Sequence, residues 1–136
     1  MLGLGLTLSK PSGGGVKLGP NLFVGGDMDS DVGFTLQAGW SIAGGVGSAV
    51  ATGSPTSLIK SSGGTNDTNY RLEFDMLNYV TGNLDVVVGT VNLADMAEDG
   101  HYSVDFTTDA GGNNVLFLQG YTLTADVDNI SLREIL

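Results

Sequence analysis

At 136 residues the chain is long enough for one domain with its own two-sheet core. Charged residues are only 15 % of it and glycines number 22, which suits many short strands and turns and argues against a helical bundle. Five Lys and Arg against 15 Asp and Glu give a net charge of −10, too few cations to hold a phosphate backbone, so nucleic acid is excluded as a partner.

There is no cysteine, hence no disulfide and no thiolate chemistry, as fits synthesis in a reducing cytoplasm. No apolar run reaches the length of about 18 residues that a membrane-crossing helix needs.

Residues 1–20 differ from the rest. Leu2, Leu4, Leu6 and Leu8 alternate with small residues at a period of two, and Ser9-Lys10-Pro11-Ser12-Gly13-Gly14-Gly15 reads as a linker. The alternating leucines are either an extra strand of the domain's own sheet or an arm that adds to a neighbouring subunit. The arm is the preferred reading, since a terminus of this composition needs a partner to tie it down.

The domain proper is expected over residues 21–136. Leu22-Phe23-Val24 reads as a strand running into the Gly25-Gly26 turn with its acids Asp27, Asp29 and Asp31. Short strands follow at residues 34–38, 40–42, 48–52 and 57–60, separated by glycine-rich turns, one of them Gly44-Gly45-Val46-Gly47. Tyr70, Leu72, Phe74 and Met76 then alternate with Arg71, Glu73 and Asp75, the clearest amphipathic strand in the chain. Residues 84–91 are apolar on both faces and read as a central strand.

Residues 92–100 fit one irregular helical turn around Leu93 and Met96. Tyr102, Val104 and Phe106 face the core of the next strand, with His101, Ser103 and Asp105 outward. Val115-Leu116-Phe117-Leu118-Gln119-Gly120 is another strand. The last is 126–135, where the step from Val127 to Ile130 breaks alternation and predicts a bulge near Asp128-Asn129. First and last strands side by side would close the domain, giving about eight or nine short strands in all.

The catalytic search is short. The single histidine, His101, shares a strand face with Ser103 and Asp105, and side chains projecting in parallel do not converge as a triad must. No carboxylate pair is marked as a glycosidase pair, and no phosphate loop or zinc spacing occurs. A non-enzymatic protein is expected. For sugar contact, Tyr79 and Tyr121 flank turns and are the candidate exposed rings. The acids Asp27, Asp29 and Asp128 have two readings: calcium ligands gathered at one end of a sandwich, or caps on their own turn amides.

Taken in order, Asn21-Leu22 through Gly26-Asp27-Met28-Asp29, then Gly39-Trp40, then Asp128-Asn129-Ile130-Ser131-Leu132 resemble the carbohydrate-binding-module jelly roll, in the version found in tailed-phage virion proteins. The resemblance, over residues 21–136, implies an all-β, single jelly-roll β-sandwich with Trp40 as a core plug, to which residues 1–20 would add the extended N-terminal arm read above. It also implies a structural Ca2+ near Asp29 and Asp128, although glutamate is frequent where this chain has Asp29.

By the same resemblance the chain would be a virion structural protein, a capsid decoration or auxiliary head protein. Arm and sheet edge would bind major capsid or other virion proteins, with a homo-oligomer, most simply a trimer, placed on the virion. The alternative is a carbohydrate-binding module that attaches to a cell-surface glycan.

Overall fold

The computed structural model describes residues 16–111 and 114–136. Among these there are nine strands and no helix: β1 (Leu18–Asn21), β2 (Thr35–Leu36), β3 (Trp40–Ala43), β4 (Val46–Ala49), β5 (Thr56–Ser61), β6 (Asn69–Val88), β7 (Val91–Met96), β8 (Gly100–Thr107) and β9 (Val115–Ile135). All belong to one hydrogen-bonded sheet, and every pairing is antiparallel.

The long strands β6 and β9 are the spine. They pair with each other from Tyr70 opposite Glu134 to Val88 opposite Leu116, with register shifts near the middle. The shifts have visible causes in the backbone. Asn78, Gly82, Thr122 and Asn129 all take positive φ and lie at or opposite the shifts, where extra residues in one strand bulge and turn the following side chains to the other face. In β9 the buried positions are 116, 118 and 120, then 123, 125 and 127, then 130 and 132. The phase slips by one residue at Thr122 and again at Asn129, and both slips keep apolar residues pointing inward.

These bends fold the ribbon into two layers over a single core. In the first layer, residues 69–77 of β6 lie between β8 and the C-terminal half of β9, which carries β1 and β4 on its far side. In the second, residues 81–88 of β6 lie between β7 and the N-terminal half of β9, which carries β5 and then β2. The inward residues of both layers, among them Tyr70, Phe74, Leu84, Leu118 and Leu132, form one buried cluster. The fold is an all-β sandwich, as expected. Burying such side chains at roughly 1.5–3 kcal/mol each is its main stabilisation.

First and last strands do pair, but the first begins four residues before the expected Leu22. β1 is Leu18–Asn21, opposite Ile135 to Arg133, so it starts inside the stretch assigned to arm and linker. Residues 22–24 are not a strand. Chain direction changes there because the Asn21 side-chain oxygen accepts from the amides of both Phe23 (3.0 Å) and Leu132 (2.9 Å), which pins the turn to β9. Phe23 and Met28 then drop into the core and close one end of the sandwich. The bulge expected at Asp128-Asn129 is present.

Three other expectations are corrected. Residues 92–100 hold no helical turn: β7 folds back on β6 as a hairpin, and a register shift at Val86/Val87 absorbs the irregular spacing of Leu93 and Met96. The strand of residues 48–52 instead covers Val46–Ala49, because Gly44 and Gly45 alone make the turn. Residues 70–76 and 84–91 were expected as separate strands, and so were 115–120 and 126–135; each pair is one bent strand.

Candidate functional site: the outer face of the second layer

Side chains that leave the second layer outward come from alternate positions of its strands. On β9 these are Phe117, Gln119 and Tyr121, all half-buried, between the buried Leu116, Leu118 and Gly120. Register places Val87 and Ile59 on either side of Phe117, Asp85 and Ser57 beside Gln119, and Asn83 beside Tyr121. Thr35 lies beyond Ile59, and Asp95 beyond Asp85.

The face therefore has two characters. One row across the strands is apolar, Val87–Phe117–Ile59, and the next is polar. Phe117 and Tyr121 are four residues apart on one strand, which separates their Cα atoms by about 13 Å.

The polar row is held in place by its own hydrogen bonds. Asp85 and Asp95 are opposite each other, a like-charge pair that would by itself destabilise the hairpin. Each carboxylate accepts from a nearby amide: Asn83 Nδ2 donates to Asp95 Oδ1 (2.7 Å) and Asn92 Nδ2 to Asp85 Oδ2 (3.4 Å). The Tyr121 hydroxyl donates to Gln119 Oε1 (3.0 Å), which fixes the amide so that its NH2 group is aimed by the ring beside it. Gln37 Oε1 accepts from the Ser57 amide at 2.8 Å and extends the polar row over β5. No described Lys or Arg lies in this face: Arg71 and Arg133 are on first-layer strands, Lys60 lies over the Phe34 ring, and Lys17 precedes β1. Aromatic faces flanked by fixed amides and carboxylates suit a ligand that is apolar on its flat side and rich in hydroxyls at its edge.

The sequence-derived candidates are distributed as follows. Tyr121 is on this face. Tyr79 is not: its ring packs against the core and its hydroxyl donates to the Gly82 carbonyl (2.8 Å). Leu2, Leu4, Leu6 and Leu8 lie outside the described residues.

The opening turn does meet the closing strand, since the Ile130 amide donates to the Gly26 carbonyl (2.9 Å). Its carboxylates nevertheless serve their own turns. Asp27 Oδ1 accepts from the Asp29 amide (3.3 Å) and Asp128 Oδ1 from the Asn129 amide (2.7 Å). Among the described residues no group of three or more His, Cys, Asp or Glu is placed to hold a metal ion. Trp40 is a buried core residue whose Nε1 donates to the Thr56 carbonyl (3.0 Å).

Phe117, Gln119, Asn83 and Asp85 were not singled out from sequence. Residues 115–118 are apolar at every position, so nothing local distinguishes the inward side chains from the outward one at Phe117.

No family model matches the sequence and no curated protein matches it. Solved structures do. A mutant of a family 29 carbohydrate-binding module superimposes with a TM-score of 0.57 at 16% identity, covering 88% of this chain and 92% of that one. A second family 29 mutant, complexed with cellulohexaose, gives 0.54 at 14% identity over 88% and 91%. A family 16 carbohydrate-binding module gives 0.52 at 15% identity over 82% and 99%. At such identities the likeness establishes the jelly-roll fold.

Proposed function

We propose that this domain is a non-catalytic glycan-binding module whose ligand lies on the outer face of the second layer. The observation that carries this reading is the pair of outward rings on β9, Phe117 and Tyr121, beside amides and carboxylates already fixed by hydrogen bonds, in a fold shared with carbohydrate-binding modules. The rings supply stacking surface. Gln119, Asn83 and Asp85 supply donors and acceptors for hydroxyls, and their fixed geometry lowers the ordering cost of binding. The capsid-decoration expectation rests on the arm and on motif order, and no described residue adds to it.

Affinity electrophoresis in gels containing neutral polysaccharides, followed by titration calorimetry, tests the proposal. Phe117→Ala and Tyr121→Ala should each raise Kd about tenfold, the equivalent of about 1.4 kcal/mol, with little change in Tm because both rings are only half-buried. His101→Gln, on the opposite layer, should bind like the parent. If no polysaccharide retards the protein, or if both ring variants bind unchanged, the assignment to this face is wrong.

A further inference from the structure

The outer face of the first layer carries a different arrangement, which the glycan reading does not use. His101 opens the edge strand β8 and faces two carboxylates of β6. Its Nδ1 is 2.6 Å from Asp75 Oδ1 and its Nε2 is 3.1 Å from Glu73 Oε1. Asp75 is fixed from its other side, where Asn129 Nδ2 on the β9 bulge donates to Oδ2 (2.8 Å). One imidazole thus connects β8 to β6, and through Asp75 and Asn129 to β9.

We propose that His101 is a pH-dependent clasp that fastens the edge strand β8 to the sheet when the imidazole is protonated and loosens it when the imidazole is neutral. An imidazolium has two N–H donors, one for each carboxylate. A neutral ring has a single N–H, so its other nitrogen turns a lone pair toward a carboxylate oxygen.

The surroundings favour the charged form. From β6 the ring meets Glu73 and Asp75; from β9, Asp128 stands opposite Asp75; Glu98 and Asp99 precede β8, and Asp105 follows on it. Arg71, further along β6, is committed to Asp105 through two bonds of 2.6 and 2.9 Å. The His101 pKa is accordingly raised above the ordinary 6.5, by the Asp75 hydrogen bond first, with partial burial opposing and Glu73 adding. A raised folded-state pKa means the contribution is complete below the unfolded value of about 6.5 and is lost as pH rises through the folded value. Since 58 % of the side chain is exposed, the effect is local and small.

Because the chain has one histidine, a tag-free sample gives one pair of imidazole proton signals to titrate by NMR. The midpoint should lie above 6.5 and should fall in Asp75→Asn and Glu73→Gln. Between pH 6 and pH 9 the parent should lose about 2 °C more in Tm than His101→Gln. Amide exchange should show the added opening within β8. A midpoint at or below 6.5, or an equal loss of Tm in His101→Gln, would overturn the proposal. The titration of the unmutated chain decides the matter if a variant does not fold. The test is independent of any glycan, so it stands or falls apart from the function proposed above.

Discussion

Gly26 leaves no room for a side chain. A Cβ there would sit 1.8 Å from the Ile130 carbonyl oxygen, a backbone atom that cannot move without disturbing β9. The same segment is joined by the hydrogen bond from the Ile130 amide to the Gly26 carbonyl, so a substitution both clashes and breaks a pairing. Gly26→Ala should cost about 3 kcal/mol or more. Gly53→Ala, where nothing lies within 4 Å, should stay within about 0.5 kcal/mol of the parent. Urea midpoints for the two variants check this, and equal midpoints would mean that the turn is not packed on β9. The sequence marks Gly25-Gly26 as a turn, yet nothing local tells which of the two glycines touches a strand more than a hundred residues away. His101 is similar. Its outward phase is legible, whereas its partners Glu73 and Asp75 depend on how β8 registers with β6.

At the scale of elements, the amphipathic strand around Tyr70–Met76 and the closing strand are legible because one of their faces is wholly apolar. Their continuation into strands of 20 and 21 residues is not. A bulge reverses the alternation, and reversed alternation in a sequence looks like a strand ending. Thr122 is the sharpest case: a β-branched residue at φ 51, with its hydroxyl bonded to the Tyr121 carbonyl (2.6 Å). Left-handed backbone is costly for threonine and tolerated by asparagine. Thr122→Asn should therefore stabilise the domain by about 1 kcal/mol, read as a higher urea midpoint at unchanged m-value. A lower midpoint would show that the hydroxyl bond outweighs the backbone strain. Tyr121 lies beside this bulge, half-buried within β9, and the face it shares with Phe117 and Gln119 is built by β6 and β9 together and has no local signature.

For the whole molecule, charge is the property the sequence states most directly. Ten excess negative charges sit on a small domain, and among the described residues the ion pairs are Arg71–Asp105 and the two His101 contacts. The carboxylates therefore act mainly by mutual repulsion, which salt screens over about 10 Å at 0.1 M. Raising NaCl from a few millimolar to about 0.15 M should raise Tm by roughly 2–4 °C.

Calcium provides the discriminating arm. An ion bound at a hundred times its Kd would add about 2.7 kcal/mol, a rise of several degrees beyond screening. Asp27 and Asp128 instead accept from amides of their own turns, so calcium at matched ionic strength should add less than about 1 °C over NaCl. A larger rise, reversed by chelator and absent in Asp128→Asn, would mean that the opening turn and the closing strand exchange these local bonds for a shared ion.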